Sequence, residues 1–208
     1  MQPTKPPMMS FVSSVPDTFR YSFAEAILSL QPLLDAEAIL FITDRLHVHR
    51  KEKNTVLMPL GTVCDKLYFL HSGLARGYYA ENDKEITAWF AKENDFIYSP
   101  TGFLNQKPAL EAVEVLEDSA LVSLAYEDLR QLYDLFPMTN NIGRLITENR
   151  LLFYDEWVRS LRSLSAEERF RKFVADYPTI YERAPLKHIA SFLGMSPETV
   201  SRILKRKN

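Results

Sequence analysis

The feature that most constrains this chain is a series of short apolar runs across residues 54–125. They read NTVLM, KLYFLHSG, LARGYYAENDKEITAWF, NDFI, EAVEVLED and SALVSL. Turn formers separate them. Asn82-Asp83 lies between aromatic and β-branched residues, the pattern of a hairpin turn, and Gly61, Gly73 and Gly102 punctuate the rest. Short strands with no long helix between them fold as an antiparallel barrel or sandwich.

The flanks have a different texture. Residues 17–50 are mainly helical in pattern, clearest in PLLDAEAILFITDRL. After Tyr126 the pattern is helical again: EDLRQLYDLFP stops at Pro137, and MTNNIGRLITENRLLFYDEWVRSLRSL then runs without proline. Ile142, Leu145, Ile146, Asn149, Leu152, Phe153 and Leu161 share a broad stripe on that helix, with Trp157 beside it. Leu151 and Val158 widen the apolar surface. Such a helix crosses between domains or pairs with a second copy, Asn149 being a candidate for fixing register; the alternative is one helix packed on its own barrel. The 208 residues are 46% apolar with 13 Phe and 10 Tyr, enough for a sizeable core.

Cys64 is the single cysteine, so no disulfide forms within the chain, and a reducing, cytoplasmic location fits. No run of 18 apolar residues suits a membrane span, and MQPTKPPMMSF reads as a loose tail rather than a signal peptide. The net charge of -2 hides an asymmetry. Residues 1–140 hold 12 Lys and Arg against 19 Asp and Glu, or -7, whereas residues 141–208 hold 13 against 8, or +5. An acidic body with a basic end suits a polyanionic partner; the alternative is chance clustering on solvated faces.

The segment LKHIASFLGMSPETVSRILK, residues 186–205, carries the most specific pattern. Pro185 suits the first turn of a helix continuing to Leu193, and Gly194 supplies a left-handed end. Ser196 can cap a second helix with Pro197 at its first position and Glu198 in its first turn, where the helix dipole favours an acid. This is helix-turn-helix spacing. Val200, Ile203 and Leu204 point towards Ile189, Ala190 and Leu193, while Glu198, Ser201, Arg202 and Lys205 point away. An arginine can grip a guanine edge and a glutamate can accept from cytosine, whereas Lys205, Arg206 and Lys207 suit phosphate. The alternative is a helical hairpin with a solvated face.

The chain resembles the Crp/Fnr family of bacterial transcription regulators, in particular a subgroup common in Bacteroidetes. The resemblance covers residues 30–208 and rests on GTVCDKLYFLHSGLARGYY, KEITAWFAKENDFI, LEDSALVSLAYEDL, LSAEERF and PLKHIASFLGMSPETVSRILK. It implies an α+β fold: an N-terminal antiparallel β-roll of the cyclic-nucleotide-binding type with flanking helices (residues 1–136), a long dimerisation helix (137–162) and a C-terminal winged-type helix-turn-helix (163–208). It also implies a homodimer on a palindromic operator in double-stranded DNA, with a contact to RNA polymerase if the protein activates. The family's Arg-Glu-Thr-Val-x-Arg pattern falls on residues 197–202. Glu198 and Arg202 are the implied base readers, and Pro197 replaces the first arginine, so one base contact is lost. Ser196 and Thr199 match phosphate-contacting positions, and Lys187 and His188 are expected at the backbone with them. The sequence ends soon after this helix, so a wing is expected to precede it or be minimal.

The sensor departs from the family pattern. Nucleotide-binding members carry Gly-Glu and Arg-Ser pairs that hold ribose and phosphate. Here the first pair is Tyr98 and Ser99, and the second is Ala109 and Leu110. A buried phosphate without a guanidinium is poorly compensated, and Lys107 lacks the same fork. Cyclic AMP is therefore not expected. The candidate sensor pocket comprises Tyr98, Ser99, Phe103, Lys107, Ala109 and Leu110, either filled by these side chains or open to another small-molecule effector. A lone cysteine cannot build the family's iron–sulfur site. His47 and His49 suit one face of a strand but read as surface residues near a turn, and a haem role for His71 has no support. Asp83, Glu85, Glu93 and Asp95 sit among Lys and Asn at turn-like positions, which makes a hydrolase the weakest alternative. A β-roll that binds only proteins, with a degenerate helix-turn-helix, is the other. No cofactor or metal is expected.

Overall fold

The structure is a computed structural model and describes residues 15–82 and 84–205. The N-terminal tail, Asp83, Arg206 and Lys207 lie outside those residues. Helix α1 (Asp17–Leu30) starts after Pro16 and buries Phe19, Phe23 and Ile27, an i, i+4, i+8 stripe. Helix α2 (Ala36–Thr43) follows. The helical reading of residues 17–50 runs too far: strand β1 (His47–Lys51) begins four residues after α2. His49 Nε2 meets Ser123 Oγ at 2.8 Å on the neighbouring strand.

Among the described residues seven more strands complete the β-domain: β2 (Val56–Met58), β3 (Lys66–Ser72), β4 (Ala75–Glu81), β5 (Lys84–Ala91), β6 (Phe96–Ile97), β7 (Ala112–Val115) and β8 (Ser119–Ala125). They form two four-stranded antiparallel sheets, in the orders β1-β8-β3-β6 and β2-β7-β4-β5. Glu81 pairs with Lys84, so β4 and β5 form a hairpin, and Asn82 follows β4 with φ +50°; Asp83, the other residue of the expected turn, lies outside the described residues. A π-helical turn (Pro100–Leu104) links β6 towards β7, capped by Ser99 Oγ, which accepts from Gly102 N at 3.3 Å.

The C-terminal region is helical: α3 (Tyr126–Leu135), α4 (Asn140–Ser163), α5 (Ala166–Asp176), α6 (Pro178–Arg183), α7 (Leu186–Phe192) and α8 (Pro197–Lys205). Among the described residues no strand follows Ala125, so the expected wing is not formed within them. Ser165 and Glu168 close a reciprocal capping box that starts α5 sharply after α4. No helix among the described residues is long and apolar enough to cross a membrane.

Three apolar clusters connect these parts. In the first, α1 and α2 cover one sheet, where Phe23 meets Phe69 and Phe96 edge-on at 5.5 and 6.0 Å. The second fills the roll between the sheets, with Leu70, Ala75, Trp89, Val113 and Leu121 among its members. The third packs Phe170, Phe173, Ile189 and Phe192 of the helical region with Leu74 and Leu116, and Phe90 of β5 lies against it. The β-domain and the C-terminal helices therefore share a core.

Helix α4 does not present the single stripe its sequence suggests. Ile142 is buried, and Ile146, Phe153, Tyr154 and Trp157 pack against the chain's own clusters. Leu151 and Leu152 are 67% and 66% exposed, and Val158 also faces outward. Asn149 is exposed too. The apolar residues divide between an intramolecular face and an outer one.

Candidate nucleic-acid interface and sensor interior

The turn between α7 and α8 follows the predicted chemistry. Gly194 has φ +66°, the left-handed conformation that glycine adopts without a Cβ penalty. Ser196 Oγ accepts from Thr199 N at 3.3 Å and lies 3.3 Å from Thr199 Oγ1, capping α8, which begins at Pro197. Val200 and Ile203 are buried against Ile189, Ala190 and Leu193. Glu198, Ser201, Arg202 and Lys205 are exposed together, as are Lys187 and Ser196. A hydrogen bond from Ser196 holds the Glu198 carboxyl below its ordinary pKa, so it stays an acceptor.

Pairing inside the helical region sharpens this face. From α5 onward, Arg171 bonds Glu167, Lys172 bonds Glu156 and Asp176, and Arg183 bonds Glu93 and Glu117. Arg169 donates to the Leu193 and Leu164 carbonyls at 3.1 and 2.7 Å. Lys187, Arg202 and Lys205 make no ion pair among the described residues. The free positive charge of this segment is thus concentrated on the α7–α8 unit.

His188 does not join that face. It is 8% exposed and packs beside Arg76 of β4 and Glu85 of β5. Burial, then the positive charges of Arg76 and Lys187, push its pKa down to about 4. A neutral, enclosed imidazole is not placed for a phosphate contact, a correction to the sequence reading. The helical periodicity alone could not have shown this, because the covering surface comes from β4 and β5, about 100 residues earlier.

That junction is polar and well satisfied. Arg76 is 1% exposed; it donates to Glu114 Oε1 at 2.7 Å and Thr87 Oγ1 at 3.2 Å and also bonds Glu85. Ser191 Oγ of α7 accepts from Thr87 N at 3.0 Å and donates to the Glu85 carbonyl at 3.1 Å. Arg183 grips Glu93 with two bonds of 2.9 and 2.8 Å and bonds Glu117 as well. Arg183 thereby lowers the Glu93 pKa to about 2, while its own rises. Gly73 N adds a donor to Glu93 at 2.9 Å.

The six residues proposed for the sensor pocket separate. Tyr98, Ser99, Phe103 and Ala109 are buried, whereas Lys107 is exposed and Leu110 is 71% exposed. Lys107 and Leu110 thus lie outside the interior, a second correction. Tyr98 and Phe103 pack at 5.9 Å, and Phe103 meets Tyr126 edge-on at 5.3 Å. The decisive residues inside the roll were not picked out from sequence: Trp89, Gly77, Glu111 and Arg150. Trp89 is 1% exposed, and its Nε1 donates to Glu111 Oε2 at 3.0 Å. The Arg150 guanidinium of α4 lies over the Trp89 ring at 4.6 Å and near the Tyr98 and Tyr154 rings at 5.5 and 5.7 Å. Burial raises the Glu111 pKa, opposed by the Trp89 hydrogen bond and Arg150. A glycine within LARGYY was the available signal, since glycine inside a strand marks a close approach.

A cavity of about 640 Å³ borders these groups: Trp89 and Arg150 line it together with Ser22 and Glu25 of α1, Lys92 and Asp95, and it reaches Tyr177. Of the six expected pocket residues, only Tyr98 lines it.

Residues 48–135 match the cyclic nucleotide-binding domain family. The chain is 27% identical over 169 residues to the fumarate and nitrate reduction regulatory protein of Vibrio cholerae, covering 74% of this chain and 66% of that one. It therefore spans just under two thirds of that relative's length. It shares its fold with the c-di-GMP-responsive global regulator CLP of Xanthomonas campestris, with a TM-score of 0.68 at 22% identity, over 83% of this chain and 91% of that one. A structure from Eubacterium rectale assigned to the Crp/Fnr family superposes with a TM-score of 0.70 at 18% identity, over 86% of each chain.

Proposed function

We propose that this chain, a cyclic-nucleotide-binding-type β-roll joined to C-terminal helices in the Crp/Fnr-like arrangement, is a sequence-specific DNA-binding transcription regulator. Residues 1–136 are the sensor, 137–162 the pairing helix and 163–208 the DNA-reading region. The observation that carries this reading is the α8 face: Glu198, Ser201, Arg202 and Lys205 are exposed together, on the side opposite buried Val200 and Ile203. A helix with this face fits a major groove, Arg202 and Glu198 reading base edges and Lys187, Ser196, Thr199 and Lys205 meeting the backbone. Leu151, Leu152 and Val158 on the outer face of α4 supply the apolar contact for a two-fold homodimer, which matches a palindromic operator. The sensor does not take cyclic AMP, because Trp89, Tyr98 and Phe103 are buried inside the roll and neither Tyr98-Ser99 nor Ala109-Leu110 supplies a phosphate fork.

The test compares two variants on operators with single-base changes. Arg202→Ala loses about 1–3 kcal/mol of discrimination at one base pair of each half-site. Lys205→Ala weakens all sequences nearly equally and lowers the salt slope by about one per subunit. Unchanged base preference in Arg202→Ala contradicts the assigned orientation of α8.

A further inference from the structure

The interior of the roll suggests how such a sensor can work without a nucleotide. Trp89 has two partners from different parts of the chain. Its Nε1–H is bonded to Glu111, just before β7, and its π face receives the guanidinium of Arg150 from α4. Among the described residues no hydrogen bond joins Glu111 to Arg150, and Glu111 Oε1 and Arg150 Nε and Nη2 are buried without a hydrogen-bond partner. The indole therefore lies between the carboxylate of the roll and the cation of the long helix, with Tyr154 also beside Arg150. Gly77 fixes it in place, because a Cβ there would lie 2.1 Å from Trp89 Cε2. A planar heteroaromatic ring, tied by its N–H on one edge and covered by a cation, has the contacts a bound small molecule would have.

We propose that the Trp89 indole is a built-in ligand that couples the β-roll to α4 and holds the protein in its DNA-binding arrangement without an effector. Glu111 and Arg150 are the positioning residues for that ring. Arg150 lies at the centre of α4, whose far end reaches the DNA-reading region: Trp157 Nε1 donates to the Phe192 carbonyl of α7 at 3.2 Å, and the two rings stack at 6.0 Å. The path from roll to α8 is thus continuous: Glu111, Trp89, Arg150, then along α4 to Trp157, Phe192 and α7. The inference rests on the DNA-binding reading for its output, but the bridge itself is testable without DNA.

Trp89→Ala removes the ring and leaves a space that indole can enter, as engineered apolar cavities take aromatic guests. The expected result is a folded protein whose operator affinity falls about tenfold, a usual size for coupling between sites. Millimolar indole restores most of that loss, whereas it leaves the wild type unchanged. Hydrogen exchange in residues 140–163, measured without DNA, accelerates in the variant and slows again with indole. Arg150→Met, which keeps the ring but removes its cation, shows the same losses with no rescue. Wild-type operator affinity in either variant overturns the proposal, as does indole that binds Trp89→Ala calorimetrically without restoring protection in α4. If Trp89→Ala does not fold, Arg150→Met decides alone, with wild-type exchange in α4 counting against the bridge. If the wild type binds no operator, the exchange readout still judges the bridge, and the failure belongs to the DNA-binding reading.

Discussion

Gly77→Ala is a small change with a calculable consequence. Gly77 does not have a positive φ, so its backbone accepts alanine. The obstacle is the Trp89 indole, whose Cε2, Cζ2 and Nε1 would lie 2.1, 2.4 and 2.4 Å from the new Cβ. Carbon contacts are comfortable at about 3.5–4.0 Å, so a ring that is 1% exposed must move by more than an ångström. Overpacking of this kind costs about 1–3 kcal/mol. Displacing the ring also strains its 3.0 Å bond to Glu111. Trp89→Ala alone costs about 3–5 kcal/mol through the cavity it leaves. In that background the Gly77→Ala methyl meets open space, and the lost glycine entropy stabilises by about 0.4–1 kcal/mol. The two changes are therefore non-additive, with a coupling of at least about 1.5 kcal/mol. Urea unfolding of the wild type, both single variants and the double variant measures it, with near- and far-UV dichroism required to coincide. Costs that add to within about 0.5 kcal/mol would refute the packing described.

The remaining predictions concern the junction and the ligand. His188 is neutral and enclosed, with a pKa of about 4 against an ordinary 6.5. Its unfolded form takes up a proton first, so its contribution is complete above pH 6.5 and is lost as pH falls towards 4. That loss is at most about 3 kcal/mol, and His188→Phe should flatten acid unfolding in this window. Arg183→Ala should expose a lower window. Glu93 is held at about 2 by Arg183, so its stabilisation is present above its ordinary 4.5 and lost as pH falls towards 2. The half-exposed pair is screened, and about 1 kcal/mol is the expected loss at neutral pH. Calorimetry with millimolar cyclic AMP should show no saturable heat; a micromolar dissociation constant would mean that Trp89 vacates the roll.

Much of the architecture was legible because its signals are local. Glycine and asparagine mark the ends of β3, β4 and β5, and the Gly194, Ser196 and Pro197 sequence sets the α7–α8 turn residue by residue. The misses are long-range. The alternation of His47 and His49 suits a strand, but the polar HVHRK gives no apolar face to outweigh the helical reading of residues 17–50, and β1 is fixed by pairing with β8. The burial of His188 is decided by Arg76 and Glu85, and the division of the α4 leucines by what covers each side of the helix. Within the roll, the positions matched to a nucleotide-binding pattern drew notice to Tyr98, Ser99, Ala109 and Leu110. The space is organised instead by Trp89, placed by the pairing of β5 with Gly77 of β4.

Selection of bound duplexes from a random DNA library tests the central claim most directly. The account predicts enrichment of a two-fold symmetric site, its half-sites about one helical turn apart, with retention falling steeply as salt rises. Recovery of no preferred sequence, or of an asymmetric site bound by a monomer, would contradict it.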